Sequence, residues 1–313
     1  MYKLLVIDLD GTLLNDEKNI PDENIRAIEK LYYELGIIPV IATARPLDVA
    51  RYIAQKGGPA FQGYIIATNG AILYDLKREK YIINESLSRE QISSIIKVCD
   101  ENKLEFEFMT TSGEVADKQY EYRRVVDPMY DNMGVPFNFQ DDIKQYALKT
   151  EESIPLVAVN GSKGELERCY KCIASIPGLE ISGMCERTTP QKDPTGNLIE
   201  LAYYDIMKSG ATKGNAIRML SKMLGITKEQ IIAIGDGAND IPLFNEAGFS
   251  IAMRNGGTEI KNAAKVVTPK DNNSGGLGDI LSLLFDVLIK RKKDPYGLEK
   301  IKSNQKGIGG VER

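Results

Sequence analysis

Short apolar runs alternate with amphipathic segments over the first eighty residues of the chain. The runs "KLLVID", "IIPVIAT" and "GYIIATNG" carry no polar alternation, whereas the segments between them repeat apolar residues at helical spacing. Strands of a parallel sheet have this character because helices cover both of their faces. The pattern therefore predicts a βαβαβ unit at the start of a parallel sheet.

The pattern changes in the middle of the chain. The segment "AILYDLKREKYIIN" predicts a hairpin, and a helix then begins at Ser88, which has the spacing of a capping box with Gln91. Further strands are predicted at "EFEFMT", "PLVAVNG", "GLEISGM" and "LIELAYY", separated by helical or irregular stretches. The α/β pattern returns with the helix "TKGNAIRMLSKMLG", the strand "IIAIG" and a last helix "GLGDILSLLFDVLIK".

These elements predict an α/β fold with a Rossmann-like core of parallel strands and an inserted α+β cap domain. The core is expected over residues 1–84 and 205–290, with the cap over residues 85–204 between them. Residues 291–313 form a basic tail, and the segment 290–313 carries a net charge of +5 in a chain of net charge -4. Such a charge run favours a solvated, poorly ordered terminus over a binding arm.

Composition narrows the class of protein. With 42% hydrophobic residues, 27% charged residues and no apolar run of roughly 20 residues, the chain shows no candidate membrane span. A net charge of -4 gives no electrostatic footprint for nucleic acid or an anionic membrane. The strand-like start lacks the features of a signal peptide, so we expect a cytoplasmic protein. A monomer or a weak homo-oligomer is expected.

The chain contains no histidine, which excludes histidine triads, phosphohistidine chemistry and zinc sites with histidine ligands. Any general acid or base must be a carboxylate, lysine, tyrosine or cysteine, and any metal must rely largely on oxygen ligands, as Mg²⁺ does. Cys99, Cys169, Cys172 and Cys185 are expected to be reduced because nothing indicates secretion. Ordinary packing is favoured over a zinc site, since "CYKC" lacks two further ligands at compatible spacing.

Polar residues stand at the carboxyl ends of four predicted strands. Asp8 and Asp10 follow the first strand, Thr43 the second, Asn69 the third, and Asp236 the strand "IIAIG". Because ligands bind at this edge of a parallel sheet, we expect these residues to line one mouth. Each residue alone is equally consistent with a turn or a helix cap, so the prediction depends on their joint placement.

Four motifs in this order resemble those of the haloacid dehalogenase-like hydrolase superfamily. They are "DLDGT" at the first strand end, Thr43 at the second, Lys213 at the start of a later helix, and "GDGAND" beyond it. The inserted domain, "TNGA" and "GATKG" narrow the resemblance to Cof-type phosphatases with a type IIB cap, over residues 1–290. Asp10 is similar to the acid of the phosphatases, which dehalogenases lack because halide leaves without a proton.

The resemblance implies a role for each residue. Asp8 would be the nucleophile that forms an aspartyl-phosphate, and Asp10 would act as general acid and then as base. Carboxylates beside a phosphate dianion repel each other, so a Mg²⁺ ion is expected. The further assignments are Thr43, Lys213 and Asn239 for the substrate phosphate, Arg45 and Asn69 for the substrate side, Asp8, Asp10 and Asp236 for the metal, and Asp240 for orienting its surroundings.

We therefore expect a Mg²⁺-dependent phosphatase that acts on small phosphorylated metabolites, with sugar phosphates the favoured class. Its partner would be a small phosphate ester, with no nucleic acid and no membrane. Two alternatives stay open: a phosphomutase or phosphotransferase of the same fold, and a phospho-accepting sensor with little turnover. Relatives often have a glutamate where this chain has Asp205, and Glu186 and Arg187 lie in a polar cap loop that could reach the leaving group or be solvated.

Overall fold

Two β-sheets organise the chain. The computed structural model describes residues 1–118, 138–192 and 198–293, without the side chains of 186–192, 198–201 and 293. The larger sheet contains β1 Leu4–Ile7, β2 Ile38–Ala42, β3 Tyr64–Ala67, β4 Ile72–Asp75, β5 Lys80–Asn84, β13 Ile231–Gly235, β14 Phe249–Ala252 and β15 Val266–Val267. The smaller sheet contains β6 Glu105–Thr110, β7 Gly113–Asp117, β8 Asn138–Gln140, β9 Leu156–Gly161, β10 Leu179–Ile181, β11 Cys185–Lys192 and β12 Leu198–Lys208.

Helices cover both sheets. They are α1 Asp22–Leu35, α2 Leu47–Lys56, α3 Arg89–Asn102, α4 Ile143–Lys149, α5 Lys163–Ala174, α6 Lys213–Leu224, α7 Ile241–Asn245, α8 Thr258–Ala263 and α9 Gly276–Lys293. The predicted capping box is present at the start of α3, where the Ser88 side chain accepts from the Gln91 main chain. Local sequence therefore fixes where this helix begins.

The larger sheet has the strand order β15-β14-β13-β1-β2-β3-β4-β5. Its pairings from β15 to β3 are parallel, and β4 and β5 add the predicted antiparallel hairpin at one edge. Alternate residues of β1 belong to different hydrophobic clusters, with Leu5 and Ile7 on one face and Leu4 and Val6 on the other. Both faces of the strand are buried, which explains the absence of polar alternation.

The smaller sheet has the order β10-β12-β9-β6-β7-β8, with β11 paired to β12, and its pairings are antiparallel except that of β7 with β8. A separate hydrophobic core lies between this sheet and the helices α3, α4 and α5. The fold is thus a mixed α/β core with a parallel sheet and a second α+β domain inserted after β5, which confirms the predicted fold class.

A small apolar contact joins the two domains. Ala71 and Ala211 of the core pack with Leu156, Ala158 and Met207 of the smaller sheet. The strand β12 pairs with β9 and β10 as far as Met207 and Lys208, so the cap sheet extends four residues beyond the predicted boundary at residue 204 and leads into the segment that begins α6. The predicted tail beyond residue 293 lies outside the described residues.

Candidate active site

The carboxyl edge of the larger sheet brings the predicted strand-end residues together. Asp8 follows β1, Thr43 follows β2, Asp236 follows β13, and Lys213 begins α6 beside them. Because β1 lies between β13 and β2, Asp8 stands at the centre of this edge. The main-chain N–H of Asn69, after β3, donates to the Thr43 carbonyl oxygen at 3.0 Å, so neighbouring strand ends are tied to each other.

Lys213 is buried between two carboxylates. Its side chain is 0% exposed, and its Nζ donates to Asp8 Oδ1 at 2.6 Å and to Asp240 Oδ1 at 2.7 Å. A lysine at a helix N-terminus meets the unfavourable end of the helix dipole. The two carboxylates compensate for that position, and the burial of the ammonium group is possible because they accept its hydrogen bonds.

The second oxygen of Asp240 positions the loop that follows β13. Asp240 Oδ2 accepts the main-chain N–H groups of Asp236 and Gly237, each at 3.1 Å. A Cβ atom at Gly235 would lie 2.3 Å from this oxygen, so a glycine is needed there. Asp240 therefore holds Lys213 with one oxygen and the loop that carries Asp236 with the other.

The turn after β1 also depends on a glycine. Residues Leu9–Leu13 form a single helical turn, inside which Gly11 has φ 69°. A Cβ atom at Gly11 would lie 2.1 Å from Asp236 Oδ2. The close approach of the main chain places the segment after Asp8 directly against the Asp236 carboxylate.

Burial and repulsion act on the acidic groups of this cluster. Burial raises the pKa of Asp8 well above its ordinary value against the opposing charge of Lys213, and Asp240 and Asp236 add to the rise. Burial, assisted by Asp240, raises the pKa of Asp236 to about 6. Burial would lower the pKa of Lys213, but the Asp240 and Asp8 carboxylates outweigh it and raise that pKa. The cluster therefore carries more negative charge than one lysine compensates.

The same cluster has the geometry of a metal site. Asp8, Asp236 and Asp240 each offer a carboxylate oxygen, and these three atoms lie within 4.8 Å of one another. Oxygen donors are the ligands that Mg²⁺ prefers, and a divalent cation would relieve the excess negative charge. Asp240 is 0% exposed and already accepts from a cation and two main-chain N–H groups, so Asp8 and Asp236 are the better direct ligands. The residues present fit Mg²⁺.

Asp10 faces two cations. Arg45 donates from Nε to Asp10 Oδ2 at 2.5 Å and from Nη2 to Oδ1 at 2.8 Å, and Lys18 Nζ donates to Oδ1 at 2.7 Å. Burial alone would raise the pKa of Asp10, but Arg45 and Lys18 outweigh it and hold that pKa well below its ordinary value. Asp8 and Asp10 are two residues apart, yet their pKa values move in opposite directions: at Asp8 burial, with Asp240 and Asp236, outweighs Lys213, whereas at Asp10 two cations outweigh burial.

Thr43 and Arg45 share the loop after β2. The Arg45 main-chain N–H donates to Thr43 Oγ1 at 3.1 Å, which leaves the hydroxyl hydrogen of the threonine for another acceptor. The Arg45 carbonyl oxygen accepts the N–H of Thr68 at 2.9 Å, so the loop is also fixed to the end of β3. This places a hydroxyl donor and a guanidinium group on the same side of Asp8.

Asn69 and Asn239 contact each other. Asn239 Nδ2 donates to Asn69 Oδ1 at 2.9 Å, and Asn69 Nδ2 donates to Asp205 Oδ2 at 2.7 Å. Asp205 lies on β12, so these bonds connect the cap to the carboxyl edge of the core. The side-chain amide of Asn69, predicted to lie on the substrate side, is engaged between Asp205 and Asn239.

The contacts of three residues, Asn255, Lys18 and Asp205, were not anticipated. Asn255 Nδ2 donates to Asp236 Oδ2 at 3.1 Å and to the Gly11 carbonyl oxygen at 2.8 Å. Because Asn255 follows β14, the rule that ligands lie at strand ends could have found it. Neither Lys18, which lies in an irregular loop, nor the bond between Asp205 and Asn69 had a comparable signal.

Comparisons with known proteins agree with this geometry. Residues 5–281 match the family model described as haloacid dehalogenase-like hydrolase. A Bacillus subtilis protein named "Putative phosphatase YxeH" is 30% identical over 278 residues, covering 88% of this chain and 96% of the relative. The chain therefore belongs to the haloacid dehalogenase-like hydrolases and is a Cof-type phosphatase, as predicted.

Other relatives extend the comparison. A 5-amino-6-(5-phospho-D-ribitylamino)uracil phosphatase of Bacillus subtilis, YcsE, is 26% identical over 276 residues, covering 87% of this chain and 92% of the relative. The solved structure of the subclass IIB sugar phosphatase BT4131 has a TM-score of 0.73 at 23% identity, covering 90% of this chain and 98% of that one. The latter likeness supports the fold, including the cap.

Two composition-based predictions can be compared with the structure. All four cysteines are unpaired, with Cys99 and Cys169 buried and Cys172 and Cys185 exposed. Among the described residues, no helix combines the length and the apolar character needed to cross a bilayer. The cytoplasmic location and the oligomeric state stay predictions.

Proposed function

We propose that the protein is a Mg²⁺-dependent phosphatase of small phosphorylated metabolites, with sugar phosphates as the substrate class and a phosphorylated Asp8 as the intermediate. The observation that carries the proposal is the cluster of buried Asp8 and Asp240 and half-buried Asp236 beside Lys213, whose excess negative charge fits a divalent cation. Mg²⁺, when bound by Asp8, Asp236 and the main-chain oxygen of Asp10, would shield the charge between these carboxylates and the phosphoryl oxygens.

Asp8 supplies the nucleophile of the first step. Its Oδ1 accepts from Lys213, which stabilises the carboxylate form that attack on phosphorus requires. Lys213 and the Thr43 hydroxyl would donate to the equatorial phosphoryl oxygens, where negative charge accumulates during transfer. The bond from phosphorus to the leaving oxygen breaks as the bond to Asp8 forms.

Asp10 donates the proton to the leaving group and later accepts one from water. In the free enzyme Arg45 and Lys18 keep Asp10 in its carboxylate form. A phosphate dianion entering beside these two cations would compete for their hydrogen bonds, and Asp10 would then hold a proton for the leaving oxygen more readily. Once the alcohol has left, the Asp10 carboxylate is ready to accept a proton from the water that attacks phosphorylated Asp8.

Relatives support the substrate class. One relative is named as a phosphatase of a phosphorylated ribitylamino compound, and one neighbour in fold is named as a sugar phosphatase. Both names describe phosphate esters of polyhydroxylated carbon chains. The cap over the carboxyl edge would exclude water and contact the leaving group of such an ester.

The proposal is tested by phosphate release from p-nitrophenyl phosphate and a panel of sugar phosphates, with Mg²⁺ or with EDTA. We expect Mg²⁺-dependent release, a loss in Asp8→Asn of at least about 10⁴-fold in kcat, and a loss in Asp10→Asn of about 10²–10⁴-fold. The Asp10→Asn loss should be smaller for p-nitrophenyl phosphate, because p-nitrophenolate leaves without needing a proton.

Other outcomes would contradict the proposal in distinct ways. Phosphate that appears on a second sugar rather than in solution would identify a mutase or phosphotransferase. A single phosphorylation of Asp8 with no turnover of any ester would identify a phospho-accepting sensor. Phosphate release that is unchanged by EDTA would show that the reaction does not depend on Mg²⁺.

A further inference from the structure

A short chain of side-chain hydrogen bonds runs from the cap to the loop that carries Asp236. Asp205 Oδ2, on β12, accepts from Asn69 Nδ2 at 2.7 Å, and Asn69 Oδ1 accepts from Asn239 Nδ2 at 2.9 Å. Asp205 is 6% exposed and Asn69 is 3% exposed. At this degree of burial, water cannot easily replace a partner that is lost.

The carboxylate at one end sets the direction of every bond in this chain. A carboxylate only accepts hydrogen bonds, whereas a side-chain amide can present either its oxygen or its nitrogen. Asn69 must therefore turn Nδ2 towards Asp205 and Oδ1 towards Asn239. Asn239 must in turn present its Nδ2 to Asn69, which leaves its Oδ1 on the side of its own loop.

The acceptor oxygen of Asn239 lies close to the loop that carries Asp236. A Cβ atom at Gly237 would be 2.6 Å from Asn239 Oδ1, and Gly237 directly follows Asp236. If the Asn239 amide turned over, a donor would replace this acceptor next to Gly237, the residue that follows Asp236. The orientation of one amide thus decides which kind of polar group faces this loop.

Asn69 is held where it can only turn over, not move away. Thr68, Asn69 and Gly70 all have positive φ values, of 47°, 55° and 106°. A Cβ atom at Gly70 would lie 2.3 Å from the Thr212 carbonyl carbon, immediately before Lys213. Such a conformation persists only where its surroundings enforce it, and it fixes the position of the Asn69 side chain.

We propose that Asp205 is a positioning residue for phosphoryl transfer, whose carboxylate fixes the orientation of the Asn69 amide and, through it, that of Asn239. This inference rests on the proposed function, because it assigns Asp236 to the metal. Asp205 acts through other residues and touches neither the substrate nor the reacting atoms.

The first test is Asp205→Asn, which preserves shape but adds a donor. Asn69 can then turn over without losing a hydrogen bond, and the orientation of Asn239 is no longer set. We expect kcat to fall by about 10- to 100-fold and the Mg²⁺ concentration for half-maximal activity to rise, as for other residues that orient metal ligands. Because the effect lies at the loop that carries Asp236, p-nitrophenyl phosphate and the best sugar phosphate should lose kcat by the same factor.

The second test exchanges the two residues. In the double variant Asp205→Asn with Asn69→Asp, the amide introduced on β12 donates to the carboxylate introduced after β3. That carboxylate also accepts from Asn239, so the orientation of Asn239 is restored. We expect this double variant to recover most of the kcat lost in Asp205→Asn. Asn69→Asp alone should be the most impaired variant, since it places two carboxylates against each other.

Two further variants serve as controls. Asp205→Glu keeps an acceptor-only group and should stay within about 10-fold of the wild-type kcat. Asp75→Asn makes the same carboxylate-to-amide change at a buried position of the larger sheet, at the end of β4 opposite the Thr68–Gly70 turn, and should leave kcat unchanged. Thermal unfolding of each variant separates loss of fold from loss of orientation.

Three results would overturn the inference while leaving the proposed function intact. They are unchanged kcat and Mg²⁺ dependence in Asp205→Asn, no recovery in the folded double variant, and a loss that grows with the size of the leaving group. If Asp205→Asn does not fold, kcat of the double variant is compared with that of Asn69→Asp. A double variant no more active than Asn69→Asp would then overturn the inference. Wild-type protein without Mg²⁺-dependent turnover would instead overturn the proposed function and this inference with it.

Discussion

Two buried carboxylates, Asp75 and Asp8, lie at opposite ends of the strands of the larger sheet, and the balance of charge around them differs. Asp75, 4% exposed at the end of β4, accepts from the Arg78 guanidinium at 2.6 Å and from its main-chain N–H at 3.0 Å. Asp8, 7% exposed at the end of β1, has Lys213 beside it, with Asp240 and Asp236 nearby. Burial favours the protonated form of both residues, yet the pKa of Asp75 is lowered and that of Asp8 is raised.

The difference lies in the local balance of charge. Around Asp75 one arginine meets one carboxylate, so burial is outweighed and the pair contributes to the stability of the fold. Around Asp8 three carboxylates share one lysine, so part of the negative charge is uncompensated. A cluster of this kind costs stability in the free protein, and perturbed groups of this kind concentrate where chemistry is done.

Removal of the cation beside each of these carboxylates should give the largest difference in the free energy of unfolding. Lys213→Met leaves Asp8 and Asp240 buried without their cation, and we expect the free energy of unfolding to fall by about 3–5 kcal/mol. Arg78→Met removes a cation whose side chain is 72% exposed, and should cost about 1 kcal/mol or less. Urea unfolding at neutral pH measures both values. Equal losses in the two variants would show that the balance of charge does not differ between Asp8 and Asp75.

Mg²⁺ should stabilise the fold through the cluster around Asp8 and not through the pair of Asp75 and Arg78. At a Mg²⁺ concentration about 100 times its Kd, we expect the free energy of unfolding to rise by about 2.7 kcal/mol. Asp236→Asn should lose most of this gain, yet without metal it should be at least as stable as the wild type because one repelling charge is gone. Asp75→Asn should keep the gain. Urea unfolding with Mg²⁺ or EDTA measures these differences, and a metal gain preserved in Asp236→Asn would contradict the assignment.

The smallest effect is the pH dependence of the Asp75 contribution. The folded-state pKa of Asp75 lies below 3.8, its ordinary value, so the contribution is complete above that pH and disappears as pH falls through the folded-state pKa. We expect Asp75→Asn to cost about 1 kcal/mol at neutral pH, since the arginine partner is exposed, and less below pH 3.8. If the cost of Asp75→Asn grew on acidification, the folded-state pKa of Asp75 would be raised rather than lowered.

Much of the site could be predicted from local sequence. Asp8, Thr43 and Asp236 were predicted because apolar runs mark the strands and parallel strands end at a common edge. The roles of Lys213 and Asp240 came from the resemblance of whole motifs. Hydrogen bonds join Asp8, Lys213, Asp240 and the main chain of Asp236, whereas Thr43 bonds to Arg45 and Asn69.

Two further contacts of the site have no signal in the local sequence. The bond from Asn69 to Asp205 spans 136 residues and crosses from the core to the cap. Lys18 reaches Asp10 from an irregular loop in which it has φ 62°, a conformation that no apolar periodicity indicates. The first contact depends on how the cap packs on the core and the second on the conformation of an irregular loop, so neither could be inferred from a local pattern.

The sequence by itself determined which residues stand at the strand ends, because strand periodicity and turn residues act over a few neighbouring positions. Only the tertiary structure decided which groups surround each carboxylate there. Asp8 and Asp10 are nearly adjacent, but Lys213 and Asp240 come to Asp8 from more than two hundred residues away, whereas Arg45 and Lys18 come to Asp10. A pKa depends on burial and on charges in space, so the opposite shifts of these two aspartates arise only when the chain has folded.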